Sequence, residues 1–94
     1  MKVDVKRRHI SNGLQEDPTR CPVALALNDI GLRRCMVGRY SFNPSSNHLD
    51  VSVELPSDVT TRIQSFDATG EMKPFSFEIP DRVMQYKTRE PDVL

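Results

Sequence analysis

Apolar and polar residues change their spacing several times along this chain, and each change marks an element. Residues 2–6, Lys-Val-Asp-Val-Lys, alternate strictly, which predicts a short strand with Val3 and Val5 on its buried face. Ile10 and Leu14 then stand four apart, so residues 7–13 read as one or two helical turns ending near Gly13. Gln15 to Arg20 form a polar loop in which Asp17-Pro18 favours a turn. From Cys21 the chain reads Cys-Pro-Val-Ala-Leu-Ala-Leu. Pro22 suits the first position of a helix, where its missing N–H costs nothing. Val23, Ala24, Leu27 and Ile30 form a stripe with Leu25 and Ala26 beside it, so this helix is apolar nearly all round and belongs inside. Asn28, Asp29 and Gly31 end it.

The second half returns to alternation. Residues 35–42 read as one strand, with Met36, Gly38, Tyr40 and Phe42 on one face and Cys35, Val37, Arg39 and Ser41 on the other. Asn43 to Asn47 are turn residues throughout, and 49–55 alternate again, predicting an antiparallel hairpin. A third helix opens at Pro56-Ser57-Asp58, with Pro56 at its first position. Leu55, Val59, Ile63 and Phe66 recur on one face, and Gly70 stops it. Residues 73–79 form a last strand, blunted at its edge by Pro74. The order β-α-α-β-β-α-β predicts a single small α+β domain over residues 1–85. Its sheet is mostly antiparallel, with three or four strands and helices on one face. The expected core is Ile10, Leu14, Val23, Leu27, Val51, Val53, Val59, Ile63, Phe66, Phe75 and Phe77. Residues 86–94 are expected to be a flexible tail, anchored by Val83 and Tyr86.

Composition narrows the class of molecule. The chain has 94 residues, 37% hydrophobic and 28% charged, as in an ordinary soluble globular domain. No apolar run approaches the roughly 18 residues of a membrane span. The charged N-terminus lacks the apolar stretch of a secretory signal. Two cysteines cannot make a secreted-type framework, so the expected compartment is the reducing cytoplasm.

Net charge is zero, which disfavours a dedicated nucleic-acid binder. However, residues 1–47 carry eight Lys or Arg and four Asp or Glu, and residues 48–94 carry five and nine. The halves are thus +4 and −4, suited to intramolecular attraction, to steering a charged partner or to pairing two copies head to tail.

Four sets of side chains are candidates for chemistry. Cys21 at a helix N-terminus, with Arg20 beside it and His9 as base, could serve as a nucleophile; the plainer reading is a small buried residue where the helix starts. His9, Cys21, Cys35 and His48 have the ligand count for zinc but lack closely spaced pairs, so no metal is expected. Lys6, Arg7, Arg8, His9, Arg33, Arg34 and Arg39 could gather into a basic binding surface, with Tyr40 and Phe42 near it. Lys2, Asp4, Asp50, Ser52, Glu54, Ser76 and Glu78 would share the open, mainly acidic face of the sheet, and strands 2–6 or 73–79 could offer an edge to a second copy. No paired carboxylates, Gly-rich phosphate loop or cofactor motif stands out.

The run His9-Ile10-x-x-Gly13, Asp17, Cys21-Pro22-Val23-Ala24-Leu25-Ala26-Leu27 resembles a pattern in small phage and bacterial proteins that carry no assigned function. Leu55-Pro56 and Pro74-Phe75-Ser76-Phe77-Glu78 are similar to later parts of the same pattern, so the resemblance spans about residues 8–79. It implies a viral or mobile-element origin and assigns no catalytic residue. In it His9, Gly13, Cys21 and Pro22 form a structural motif. The expected function is non-covalent binding to another protein, such as a host or defence component. A weak nucleic-acid binder using the basic N-terminal half is the alternative, and a thiol enzyme using Cys21 the second alternative.

Overall fold

A computed structural model describes residues 1–88. The domain is α+β, as the pattern predicts. Strand β1 (Lys2–Val5) leads to helix α1 (Arg7–Asn12) and helix α2 (Pro22–Asp29). Strands β2 (Met36–Val37), β3 (Ser41–Asn43) and β4 (Val53–Glu54) follow, then helix α3 (Ser57–Thr69), strand β5 (Phe75–Glu78) and a short 3-10 helix (Asp81–Tyr86).

Local chemistry explains the two long helices. The N-cap of α2 is Cys21, whose Sγ accepts the Ala24 N–H at 3.5 Å, and Pro22 follows as the first helical residue. At its other end the Leu32 N–H reaches Leu27 O and the Gly31 N–H reaches Asn28 O. This is a Schellman stop, with Gly31 at φ +108° and Leu32 fully buried behind it. Val23, Ala24, Ala26 and Leu27 are buried as well, so α2 forms the centre of the core. In α3, Val59, Ile63 and Phe66 face inward with Leu55, and Gly70 ends the helix at φ +78°. Pro56 is the N-cap rather than the first helical residue.

The single sheet expected from the alternation is two small ones. β1 pairs antiparallel with β5, Lys2 opposite Glu78 and Val5 opposite Phe75, while β2, β3 and β4 form a separate antiparallel meander. Residues 35–42 are therefore not one strand. The Gly38 N–H donates to Ser41 O at 2.8 Å and folds Arg39-Tyr40 into a turn, so Val37 pairs with Phe42. Cys35, Val37 and Phe42 are buried together and Tyr40 is exposed. A two-residue turn shifts the parity of the pattern without breaking its alternation, which is why the sequence reads straight through it. Likewise only Val53–Glu54 of the expected 49–55 strand pairs. Asn43 Nδ2 instead donates to His48 O and Val51 O, both at 2.7 Å, and holds 44–52 as a loop with Leu49 at the surface.

Four of the expected core residues are not buried. Leu14 is exposed because α1 ends at Asn12 and Gly13 is extended, so Leu14 leaves the helix face. Ile10, Val51 and Phe75 are only half-buried. Val3, Val5, Leu32, Cys35, Phe42 and Val83 are core residues that the helical stripes do not reveal. Of the expected tail, Tyr86 packs on His48 with ring centroids 5.0 Å apart, and the Thr88 N–H donates to Gly31 O at 2.8 Å. Residues 86–88 are thus part of the domain, and 89–94 lie outside the described residues.

Candidate functional site

Cations from both ends of the chain meet where the C-terminal end of α2, strand β1, the 3-10 helix and the 44–52 loop converge. Three hollows lie there in a row. The first, about 320 Å³, is lined by Lys2, Asp4, Lys6, Arg8 and Asp29 among others. Asp29 and Ile30 also belong to the second, of about 800 Å³, which adds Gly31, Arg33, Met84 and Lys87. Gln85, Lys87 and Thr88 are shared in turn with the third, of about 280 Å³, which reaches Arg34, His48 and Tyr86. Shared rims make the three one furrow, in which Lys2, Lys6, Arg8, Arg33, Arg34 and Lys87 outnumber Asp4 and Asp29.

Arg8 and Lys2 each lie beside an acid. Arg8 contacts Asp29 Oδ2 at 2.6 Å, and Lys2 lies 3.7 Å from Asp4. No described carboxylate lies within ion-pair distance of Lys6, Arg34 or Lys87, so these leave the furrow with a net positive field. The stem of Lys87 runs close over Gly31: a Cβ built on that glycine would come within 2.5 Å of Lys87 Cγ. Gly31 therefore both stops α2 and leaves room for the Lys87 stem to pack against its backbone at the central hollow.

His9 has a structural place at the edge of the furrow. It is 3% exposed, and its Nδ1 accepts the Lys6 N–H at 2.8 Å. The ring hydrogen then sits on Nε2, which donates to Asp29 Oδ2 at 2.6 Å. The first contact is one half of a capping box, with His9 in the place usually taken by Glu. The second ties α1 to the far end of α2. The Asp29 carboxyl is held below its ordinary range by the His9 hydrogen bond, with Arg8 adding to it. Gly13 closes the other end of this helix pair against Pro22, whose Cδ and Cγ lie 2.6 and 2.7 Å from where a Cβ would stand. His9 on Asp29 and Gly13 on Pro22 thus lock α1 to α2 at opposite ends, while Cys21 caps α2 from within.

Nucleophilic chemistry at Cys21 has no support in this geometry. Cys21 is 4% exposed, its sulfur caps α2, and burial pushes its thiol up. Both nitrogens of its expected base, His9, are engaged elsewhere. Cys35, buried beside Ala24 O and Asn28, is pushed up to about 12, again by burial. Among the described residues no three His, Cys, Asp or Glu side chains converge as metal ligands, so His9, Cys21, Cys35 and His48 do not meet at one point. Nor is any described helix long and apolar enough to cross a membrane.

The basic set itself divides. Lys6, Arg8, Arg33 and Arg34 line the furrow and Arg7 is exposed on α1, whereas Arg39 joins Glu16, Asp17 and Asp67 in a separate cleft of about 590 Å³. The acids of that cleft serve the 14–20 loop. Asp17 accepts from the Thr19 N–H and hydroxyl and from the Arg20 N–H, and Asp67 accepts from the Glu16 N–H. The acidic sheet face divides too, since Lys2, Asp4, Ser76 and Glu78 lie on one sheet and Glu54 on the other. Sequence reasoning missed Lys2, Met84 and Lys87 as partners of the N-terminal cations. Only Val83 and Tyr86, three apart, signalled that this segment packs at all. Comparison with protein-family models, with curated proteins and with solved structures found no match.

Proposed function

We propose that this chain is a non-catalytic binding protein that engages another protein through the basic furrow. The observation that carries the reading is the row of three hollows in which the N-terminal cations are joined by Lys87. Such a surface supplies the cations Lys6, Arg34 and Lys87 and the half-buried apolar side chains Ile30 and Met84, the ingredients of a polar-rimmed protein interface. A nucleic acid fits less well. Its phosphates are uniformly negative, and Asp4 and Asp29 line the same furrow. His48 and Tyr86, the rings at one end, are packed on each other rather than open for base stacking. The resemblance to phage-type proteins makes a host or defence component the expected partner, met in the host cytoplasm. The two unbridged, buried cysteines accord with that compartment.

Capture from host lysate, with and without nuclease, tests this. The wild type is expected to retain protein partners after nuclease, and the variant Lys6→Glu/Arg34→Glu/Lys87→Glu to lose them. Partners that vanish with nuclease would transfer the furrow to the nucleic-acid reading. Partners unaffected by the triple variant would remove the furrow from the function altogether.

A further inference from the structure

The furrow is not uniform, and its differences specify an occupant. Its central hollow is the largest of the three, at about 800 Å³. Ile30 and Met84, both half-buried and both packed against the core, are the apolar side chains of its lining, beside Asp29, Arg33, Gln85, Lys87 and Thr88. Lys87 lines it, with its stem against Gly31. Cations continue on either side, Lys6 towards β1 and Arg34 towards the 44–52 loop. The central hollow thus sets two apolar side chains among polar and cationic ones, with further cations on either side.

We infer that the furrow takes an acidic protein segment with an aliphatic side chain at its middle, seated between Ile30 and Met84 while flanking carboxylates meet Lys6, Lys87 and Arg34. The inference rests on the protein-binding reading above and adds the chemistry of the partner. Charge complementarity supplies orientation and encounter rate; burial of one aliphatic side chain against Ile30 and Met84 supplies the holding contact. Met84 suits this role, because an unbranched thioether chain adapts to the shape of what it meets. A partner segment can also place a neutral or basic residue opposite Asp4 and Asp29, which a polyphosphate cannot.

Fluorescence anisotropy with labelled peptides of about ten residues, roughly 33 Å when extended, tests this. One peptide is glutamate-rich with a central leucine, the second has serine in its place, and the third is lysine-rich with the leucine. A single-stranded oligonucleotide of similar length serves as a competing polyanion. The leucine-bearing acidic peptide is expected to bind about tenfold more tightly than the serine version, and the lysine-rich peptide not at all. Met84→Ser is expected to erase the leucine preference while leaving the serine peptide unchanged, and Met84→Leu to keep it. Lys87→Gln is expected to weaken both acidic peptides alike, with melting curves confirming that each variant is folded. Equal binding of the leucine and serine peptides, a preference that survives Met84→Ser, or tighter binding of the oligonucleotide would each overturn the inference. If lysate partners are lost in the charge-reversed triple variant yet the peptides show no preference, the anchor fails and the binding reading stands. If the partners ignore that variant, the reading itself fails.

Discussion

Gly13→Ala offers a sharp test of the helix-to-helix lock, because backbone and packing predict opposite signs. Gly13 sits at φ −75°, ψ 151°, a conformation open to any residue. On backbone grounds alone alanine there would stabilise the fold by about 0.4–1 kcal/mol, by restricting the unfolded chain. The packing says otherwise. A Cβ would stand 2.6 and 2.7 Å from Pro22 Cδ and Cγ and 2.8 Å from the His9 carbonyl oxygen. Ordinary carbon contacts lie near 3.5–4.0 Å, so α1 and α2 must part by about 1 Å or the Pro22 ring must move. Overpacking of this kind costs about 1–3 kcal/mol, leaving a net loss of roughly 1–2 kcal/mol. In a domain of this size that lowers Tm by about 5–15 °C, read by circular dichroism melting, with a lower urea midpoint at unchanged slope. Gly38→Ala is the milder comparison, since its Cβ meets a single atom, Ser41 O, at a tight 3.2 Å and has none of the contacts under 3 Å that Gly13 shows. Combining Gly13→Ala with Pro22→Ala removes the ring carbons from the clash, so the cost of Gly13→Ala should shrink in that background. A Gly13→Ala protein as stable as the wild type, or more so, would refute the reasoning.

Two further outcomes follow from the buried groups. Iodoacetamide at neutral pH is expected to leave Cys21 and Cys35 unlabelled in the native protein and to label both in denaturant, because burial raises both thiols; fast native labelling of Cys21 would restore it as a reactive site. Asp29 has its folded pKa depressed by His9 and Arg8, so the stability it lends is complete above about pH 4, its ordinary unfolded value, and is lost as pH falls through the folded value. Asp29→Asn should therefore flatten the acid limb of a stability-against-pH curve, and an unchanged limb would show that the contact contributes nothing.

What the sequence reveals of this fold follows the range of each interaction. The caps and the apolar run of α2 are local, and Pro22 and Gly31 announce its ends. Gly70 does the same for α3, and the alternation of Val3 and Val5 suffices for β1. The pairing of β1 with β5, apart from the β2–β3–β4 meander, joins distant segments, so no local pattern encodes it. The Arg39-Tyr40 turn is hidden because it preserves alternation, and the same turn carries Arg39 away from the cations beside it in sequence. Within the site, Lys6, Arg8, Arg33 and Arg34 are legible as a basic set. Lys87 and Met84 are not, because they come from the acidic half and reach the furrow only through the 3-10 helix.

The β1–β5 ladder also sets an order on folding. The helical pair α1–α2 and the β2–β3–β4 meander each close short stretches of chain, whereas Lys2 and Glu78 are nearly as far apart as the described sequence allows. Closing so long a loop from the unfolded chain costs about 1–2 kcal/mol more than closing a short one, unless the intervening units are already compact. The ladder is therefore expected to close after the helical pair and the meander. Once shut, it seals Val3, Val5 and Phe77 over the other face of α2, so opening it exposes the centre of the core. Amide exchange at Val3 and Phe77 should report the stability of the whole domain, although they sit in its smallest sheet.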